Sequence, residues 1–227
     1  MQPYFFPYVG YWQLINAVDK YIIYDDVNFI KRTWINRNRI LMNGEGKLIT
    51  LQLHNASQNK LINEVEVLGN PISNKKLLKT LENCYKKAPY FSDAFLDIKS
   101  VITQEEKNLA KYLEFAIKKV CEYLSIDTEL IVSSDIRKNN ELRGQNKIID
   151  ICKALCADEY INAIGGQKLY SYSDFSTKGI GLKFLRTGDI KYTQFKSEFV
   201  PSLSIIDVIM FNEPRKINKM LDDYVLL

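Results

Sequence analysis

Short, mostly apolar runs constrain the fold of this chain most strongly. Each run has a segment with helical periodicity as its neighbour in the sequence. Such runs occupy residues 20–24, 129–133, 159–163 and 182–185, and charged or polar residues bound them. Runs of this length and composition are typical of strands inside a sheet. Because strands and helices alternate at both ends of the chain, the sequence predicts an α/β fold with a mainly parallel, Rossmann-like sheet.

The middle third of the chain is predicted to be helical. Leucines recur there at helical spacing, and a proline divides the pattern. Thr103, with Glu106 three residues later, is typical of a capping box and predicts a long amphipathic helix that continues to Leu124. No linker, repeat or low-complexity segment marks a boundary. The sequence therefore predicts a single α/β domain over residues 1–227, with a helical insertion over residues 72–126.

The overall composition excludes several classes of protein. Hydrophobic residues make up 46% of the chain and charged residues 26%, which is typical of a globular protein. The net charge of +4 falls short of the strongly basic balance of nucleic-acid-binding proteins, so no nucleic acid partner is expected. No apolar run has the length of a membrane span, and no basic signal-peptide region is found. Without a CxxC pair, the four cysteines are expected to be reduced, and we expect a soluble, cytoplasmic protein without a metal site.

Aromatic side chains are concentrated near the start of the chain. Ten of the 27 Phe, Trp and Tyr residues lie within the first 34 positions. Most large rings are part of a protein core. We nevertheless expect three of these side chains, Tyr4, Tyr8 and Tyr11, to line a cleft.

Two adjacent carboxylates follow the first predicted strand. Ligands of parallel α/β sheets bind at the carboxyl ends of the strands, so Asp25 and Asp26 are candidates for a general base. Since successive strand residues point to opposite faces, we expect only one of them to face a ligand. Solubilising residues at a strand end are an alternative interpretation. His54, the single histidine, has a suitable unperturbed pKa but is more simply an ordinary loop residue.

A basic and aromatic segment over residues 28–39 comes next. It contains Lys31, Arg32, Arg37 and Arg39 together with two aromatic rings and several amides. Arginine suits bidentate contacts to phosphate or carboxylate, and aromatic rings suit stacking on a base or sugar. A nucleotide-linked anion would fit this mixture. A solvated charged loop around a core tryptophan is an equally good interpretation.

A glycine pair follows the strand predicted over residues 159–163. The backbone at Gly165 and Gly166 could approach a ligand closely, and the following amides could face an anion. The spacing matches neither G-x-G-x-x-G nor a P-loop, and a turn that needs a positive φ explains the pair equally well. No nucleophile elbow, H-E-x-x-H or kinase signature is found, which argues against a hydrolase or a metalloprotease.

Three long stretches resemble one known family. QPYFFPYVGYWQLINAVDKYIIYDDVNFIKRTWINRNRI, YINAIGGQKLYS and FVPSLSIIDVIMFN resemble the WbqC-like protein family, in the same order and over essentially the whole chain. The resemblance implies a role in bacterial surface-polysaccharide assembly, of the O-antigen type. The implied activity is transfer of an acyl or aminoacyl group, glycyl among the candidates, to the amine of a nucleotide-linked deoxy-amino sugar. Family members carry a short strand before the Gln-Pro motif, whereas only Met1 precedes Gln2 here.

The resemblance also implies site residues, position by position. Asp25 and Asp26 are the implied catalytic carboxylates, one of which accepts the proton of the sugar amine, while Arg37 and Arg39 hold the diphosphate. With Tyr8 added from the aromatic cluster, the substrate-binding residues are Gln2, Tyr4, Tyr8, Tyr11, Asn36, Arg37, Arg39, Gly165, Gly166 and Tyr170. The other matched positions are Pro3, Gly10, Ser204, Asp207 and Asn212.

The resemblance also implies a substrate, an acyl donor and a candidate partner protein. The substrate is a nucleotide-linked amino sugar, and an acyl or aminoacyl thioester donor needs no permanently bound cofactor; an acyl or peptidyl carrier protein is a candidate partner. The alternative is a non-catalytic assembly partner in a glycan-biosynthesis complex, whose exposed aromatic residues form an interface. Such a protein would place Tyr4, Tyr8 and Trp12 on a flat exposed patch. An enzyme would line a cleft with them, beside Arg37 and Gly165.

Overall fold

The structure is a computed structural model that describes residues 1–195 and 198–227. Within these residues the chain forms eight α-helices and nine strands. The helices are α1 (Val9–Asn16), α2 (Pro71–Tyr85), α3 (Phe91–Thr103), α4 (Leu109–Leu124), α5 (Gly144–Ala154), α6 (Tyr172–Ser176), α7 (Ile205–Phe211) and α8 (Pro214–Leu221). The strands are β1 (Lys20–Ile23), β2 (Arg37–Met42), β3 (Glu45–Thr50), β4 (Leu53–His54), β5 (Glu66–Val67), β6 (Glu129–Val132), β7 (Glu159–Ala163), β8 (Gly181–Thr187) and β9 (Tyr224–Leu226).

The described strands form four small sheets. β1 pairs in parallel with β6 and β7 in parallel with β8, while β9 adds to β8 in the antiparallel direction. β2–β3 and β4–β5 are antiparallel pairs. A two-residue turn with positive φ at Asn43 and Gly44 joins β2 to β3, and such a short connection allows only antiparallel pairing. The mixed α/β class is therefore confirmed, whereas one mainly parallel, Rossmann-like sheet is not found among the described residues.

A cleft of about 390 Å³ separates β1 from β7. Residues of both strands line it together with α5, and α1 packs against β7 and β8. Met1 lies beside β1, where its carbonyl oxygen accepts a hydrogen bond from the Tyr24 amide and its amino group donates to the Ile22 carbonyl. Burial lowers the pKa of the Met1 amino group to about 5, so it is largely uncharged at neutral pH.

Helices α2, α3 and α4 follow one another between β5 and β6, as the helical pattern predicts. The start of α4 differs from the prediction, because Thr103 ends α3 and the amide of Lys111 bonds to the Asn108 side chain, which caps α4. The segment between α3 and α4 is extended, and the Lys107 carbonyl accepts a hydrogen bond from Val67 in β5. Pairing with β5 thus replaces the predicted capping box. The description of residues 72–126 as an insertion in a single domain stays a prediction.

The main apolar core joins the two ends of the chain. One cluster of buried side chains extends from Phe5 to Leu221, and a smaller cluster lies around Phe175 and Phe184. Gln13 of α1 donates hydrogen bonds to the carbonyl oxygens of Met220 and Asp223, at 2.7 and 2.8 Å. None of the helices in residues 1–195 and 198–227 is long and apolar enough to cross a membrane.

Candidate functional site

A buried ionic cluster lies where β1 and β6 end. Asp26 follows β1, and its Oδ2 atom accepts hydrogen bonds from Lys138 Nζ and Lys147 Nζ, both at 2.9 Å. The side chains of the two lysines are only 1% and 4% exposed, and that of Asp26 is 10% exposed. Lys147 also donates to the Asp26 carbonyl, and Lys138 to the carbonyls of Ser133 and Ile136. We call Asp26, Lys138 and Lys147 the Asp26 cluster.

The Asp26 carboxyl group stays ionised in this cluster. Burial raises its pKa, but hydrogen bonds from Lys138 and Lys147 and the charge of Lys138 outweigh that effect, so the pKa lies below its usual range. A carboxylate with a lowered pKa is a weak base. Its Oδ1 atom and the buried Ser133 hydroxyl have no hydrogen-bond partner among the described residues. Asp26 can therefore orient a cationic or hydrogen-bond-donating group more readily than it can remove a proton.

Asp25 points to different partners. Its Oδ1 accepts a hydrogen bond from the Ser134 amide at 3.0 Å, and its Oδ2 accepts from the Ser134 hydroxyl and from Asn63 at 2.7 and 3.0 Å. The residue is only 2% exposed. Both carboxylate oxygens are thus occupied, and Asp25 ties the ends of β1 and β6 to the turn at Ile62–Glu64.

The Tyr24 ring connects the Asp26 cluster to the residues that follow β7. Lys147 Nζ lies 5.3 Å from the ring centroid. Burial raises the pKa of Tyr24, nearby Asp26 and Tyr170 raise it further, and Arg143 lowers it. We call Tyr24, Asp26, Arg143, Lys147 and Tyr170 the Tyr24 site. It holds one carboxylate, two cations and two phenol groups.

The predicted glycine pair borders the Tyr24 site. Gly165 and Gly166 lie in the 3-10 helix Ile164–Leu169, directly after β7, and neither has a positive φ. A Cβ atom at Gly166 would lie 2.9 Å from Asn162 Nδ2 and 3.5 Å from the Tyr170 ring. A Cβ atom at Gly165 would meet nothing within 4 Å. The backbone at Gly165 is therefore open to a ligand, and the structure brings Asp26, Gly166 and Tyr170 into one region.

The aromatic residues of the first motif have separate locations. Tyr11 is 3% exposed, packs its ring 5.7 Å from that of Tyr4 and donates its hydroxyl to the Gln2 carbonyl at 3.2 Å. Tyr4 and Gln2 are half-buried. Tyr8 is 41% exposed, and its hydroxyl lies 3.0 Å from Thr187 Oγ1. Of the three tyrosines expected at a cleft, Tyr11 thus belongs to the core and supports the Gln2 backbone.

Tyr8 lines a second cleft, of about 430 Å³, at the end of β8. Thr187, Lys191, Tyr192 and Phe199 also line it. The Tyr192 and Phe199 rings meet edge to face, with their centroids 5.1 Å apart. For an enzyme, the sequence predicts a cleft that lies beside Arg37 and Gly165. Neither of these residues lines this second cleft.

The predicted diphosphate-binding arginines lie on the β2–β3 hairpin. Arg37 and Arg39 are half-buried and share one face of β2, whereas Asn38 is buried on the other face and donates to the carbonyls of Phe5 and Phe6. Asn36 donates to the Leu51 carbonyl across the hairpin at 3.0 Å. None of the hydrogen bonds or ion pairs formed by residues 1–195 and 198–227 joins either arginine to the Tyr24 site.

The remaining matched positions support the fold around these regions. Ser204 caps α7 and donates its hydroxyl to the Phe6 carbonyl at 2.7 Å. Asp207 is fully buried and accepts hydrogen bonds from Tyr85, Tyr192 and Gln194 at 2.8, 2.7 and 2.6 Å. Burial raises the pKa of Asp207. Asn212 ends α7 and donates to the Val208 carbonyl, while Pro3 and Gly10 are buried.

The sequence prediction missed the lysines of the Asp26 cluster. Lys147 precedes Ile151 by four residues and so lies on the apolar face of α5, which is a detectable signal for a functional or paired lysine. No comparable pattern marks Lys138. His54 is exposed on β4 and lies 3.7 Å from Glu66, with no bond to the Tyr24 site. No group of three His, Cys, Asp or Glu side chains in the described part of the chain could hold a metal ion.

Comparisons with known proteins agree with the resemblance. The sequence profile of the WbqC-like protein family matches residues 2–219. The chain is similar to the uncharacterized protein Rv1507c of Mycobacterium tuberculosis, with 28% identity over 215 residues, which covers 93% of this chain and 91% of that protein. No solved structure matches the chain. Because the profile spans far more than half of the sequence, the chain belongs to the WbqC-like protein family.

Proposed function

We propose that this chain is a transferase of bacterial surface-glycan biosynthesis, of the O-antigen type. It moves an acyl or aminoacyl group, glycyl among the candidates, onto the amine of a nucleotide-linked deoxy-amino sugar. Membership of the WbqC-like family supports the role in surface-glycan biosynthesis. The observation that carries the proposed chemistry is the Tyr24 site, which holds an ionised carboxylate and two cations and which Gly166 borders through the Tyr170 ring.

Asp26 is the better placed of the two proposed catalytic carboxylates. Its Oδ1 atom has no hydrogen-bond partner in the described residues, whereas both oxygens of Asp25 are occupied. As a carboxylate it accepts a hydrogen bond from the sugar amine and orients it, and Asp25 holds the adjoining backbone. Oδ1 is covered in this structure, so the amine reaches it when a neighbouring side chain moves.

The transfer step needs a thioester donor and no permanently bound cofactor. The amine nitrogen attacks the thioester carbonyl carbon, so that a C–N bond forms and the C–S bond breaks. The proton lost by nitrogen ends on the leaving thiolate. Amides near Gly165 and Gly166 are proposed to stabilise the oxyanion that forms on the carbonyl oxygen, since backbone N–H groups are well suited to that role. An acyl or peptidyl carrier protein is a proposed source of the thioester.

In this proposal, the other predicted substrate-binding residues bind the nucleotide part of the substrate. Arg37 and Arg39 are half-buried and pair with no carboxylate in the described residues, which leaves them available to a diphosphate. Gln2, Tyr4, Tyr8, Tyr11 and Asn36 complete the proposed set, with Tyr11 and Asn36 holding backbone in place. All four cysteines are free thiols, which supports a cytoplasmic location.

The test is an assay of the purified chain with a dTDP-4-amino-sugar and a series of acyl and aminoacyl thioesters. Mass spectrometry detects the N-acylated sugar nucleotide, and calorimetry measures sugar-nucleotide binding. We expect Gly165→Ala to reduce turnover without lowering thermal stability, because the added methyl group meets open space in the free protein. Tyr172→Phe, at an exposed tyrosine outside the site, is the matched control. Absence of both product and sugar-nucleotide binding would refute the proposal.

The assembly-partner alternative predicts a flat aromatic patch, and this patch is not formed. Trp12 has no exposed surface, and its indole N–H donates to the Pro7 carbonyl at 3.0 Å. Tyr4 is half-buried against Tyr11, so Tyr8 is the one exposed ring of the three. The cleft expected for an enzyme, with Tyr4, Tyr8 and Trp12 beside Arg37 and Gly165, is not formed by the described residues either, so these rings do not discriminate between the two functions.

A further inference from the structure

An exposed tryptophan and three cationic residues lie close together in the chain between β1 and the start of β2. Trp34 is 47% exposed, and Ile30 is 44% exposed, in a loop between β1 and β2. Lys31 and Arg32 are exposed on the same loop. The Arg37 Nε atom reaches back and donates to the Thr33 carbonyl at 3.5 Å. We call Lys31, Arg32, Trp34 and Arg37 the Trp34 platform.

The backbone of the platform is held in place from several sides. The Phe5 amide donates to the Trp34 carbonyl at 3.1 Å, and the Thr33 hydroxyl donates to the Ile30 carbonyl at 2.8 Å. Phe29 and Ile35, on either side of the loop, are 2% and 0% exposed. A loop that is ordered before it binds a ligand loses less conformational entropy on binding. The platform is thus preorganised although its side chains face solvent.

The charge of the platform is unbalanced. None of the ion pairs found within residues 1–195 and 198–227 involves Lys31, Arg32 or Arg37. Three cations on the loop that carries the exposed indole, and on the strand that follows it, therefore favour binding of an anion. Guanidinium groups match phosphate geometry, and an indole face stacks on any nucleobase.

We propose that the Trp34 platform binds the nucleoside diphosphate group of the substrate. The base stacks on the indole of Trp34, and Lys31, Arg32 and Arg37 contact the phosphates. This inference rests on the proposed function. It narrows the basic and aromatic segment over residues 28–39 to one stacking ring, Trp34, and adds Lys31 and Arg32 to the phosphate contacts proposed for Arg37.

The backbone of the platform is linked to that of the Tyr24 site by a short segment. The Tyr24 amide donates to the Met1 carbonyl, and the Phe5 amide donates to the Trp34 carbonyl. Residues 1–5 span at most ~14 Å when fully extended. In the proposal, a ligand that stacks on Trp34 extends along the Gln2–Tyr4 segment toward Asp26.

The chain itself supplies the optical probe for a test. It contains two tryptophans, of which Trp12 is fully buried and Trp34 is exposed. We expect dTDP to quench the emission of Trp34 and leave that of Trp12 unchanged. Calorimetry with dTDP, thymidine and inorganic pyrophosphate then separates the base from the phosphates.

Substitutions at the platform give the expected pattern. Trp34→Ala lowers dTDP affinity by about 5- to 150-fold, the range measured for loss of one base-stacking ring, and leaves pyrophosphate affinity within about 2-fold. Trp34→Phe restores most of the loss. Arg32→Ala lowers the affinity for both dTDP and pyrophosphate. Ile72→Ala, at an exposed apolar residue of α2, is the matched control and changes neither.

Several outcomes would overturn the inference. These are an unchanged dTDP affinity in Trp34→Ala, a complete lack of Trp34 quenching at millimolar dTDP, and quenching by anionic phosphatidylglycerol vesicles but not by dTDP. The last result would assign the surface to lipid phosphates. If the wild-type chain forms product and Trp34→Ala does so with unchanged KM, the inference fails and the proposed function stands. If dTDP binds at Trp34 but no acyl product forms, the proposed function fails and the inference stands.

Discussion

Replacement of Asp26 by asparagine tests whether the buried cluster carries charge in the folded protein. Asp26→Asn keeps the shape of the side chain but leaves Lys138 and Lys147, 1% and 4% exposed, without a carboxylate. Loss of one partner from a buried ion pair typically costs about 3–5 kcal/mol. For a chain of this size, 1 kcal/mol shifts Tm by about 2–4 °C, so we expect Tm to fall by about 6–20 °C.

The effect of Asp26→Asn on stability should also depend on pH, in a direction that the pKa of Asp26 determines. The pKa of Asp26 is lower in the folded chain than its usual value, so the cluster contributes stability above the unfolded pKa of about 4. This stability is lost as the pH falls through the folded pKa. The difference between wild type and Asp26→Asn should therefore be full at pH 7 and shrink steadily below pH ~4.

Urea denaturation at pH 7 and at pH 3, with thermal melts at both, measures the effect. Asp189→Asn is the matched control, since Asp189 and its partner Lys191 are 80% and 67% exposed and such exposed pairs contribute at most about 1 kcal/mol. The reasoning would be refuted if Asp26→Asn lowered the stability as little as this control does. It would also be refuted if the loss of stability at pH 3 were as large as at pH 7, because the carboxylate would then not be a buried charged partner of the lysines.

Two further substitutions test other parts of the structure. Tyr192→Phe removes a 2.7 Å hydrogen bond from the buried Asp207 carboxylate and should lower the free energy of unfolding by about 1.5–3 kcal/mol at pH 7. Because the pKa of Asp207 is raised, this loss should be smaller in acid, and Tyr172→Phe at an exposed position should change the urea midpoint little at either pH. Gly10→Ala adds a methyl group that overlaps both the Tyr8 hydroxyl and Thr187 Oγ1, so the exposed Tyr8 ring should move away from β8 and lose its hydrogen bond to Thr187. The gain in helix propensity, at most about 1 kcal/mol, offsets part of the loss in stability. Unchanged Tyr8 ring resonances in an NMR spectrum of Gly10→Ala would contradict this expectation.

The individual elements were more predictable from sequence than their arrangement. The strand predicted over residues 159–163 is found with the same bounds, because an apolar run between a charged residue and a glycine pair is a strong local signal. The start of α4 was predicted wrongly, since its extended approach is fixed by pairing with β5, and tertiary hydrogen bonds of this kind leave no local pattern.

In the candidate site, too, the local features could be predicted from the sequence and the long-range contacts could not. The sequence places two carboxylates after β1, and alternation along a strand predicts that only one of Asp25 and Asp26 faces a ligand. In the structure the two side chains contact different partners, while the ligand-facing role stays a prediction. The sequence does not predict the neutralising lysines, because Lys147 is 121 positions from Asp26 and no short-range pattern joins them. A pair of strand-end acids thus looks catalytic in the sequence, while the ionic partners of Asp26 are visible only in the structure.

The link between the two ends of the chain has a consequence for synthesis on the ribosome. β1 pairs with a strand more than a hundred positions away, and Gln13 of α1 bonds to Met220, 207 positions away. At about 5–20 residues per second, synthesis of these partners takes about 5–40 s after the N-terminal segment has been made. Long-range parallel pairing also folds slowly once all strands are present. During that time the six N-terminal aromatic side chains that are buried in the folded protein are without their core, so we expect this segment to bind chaperones of nascent polypeptides.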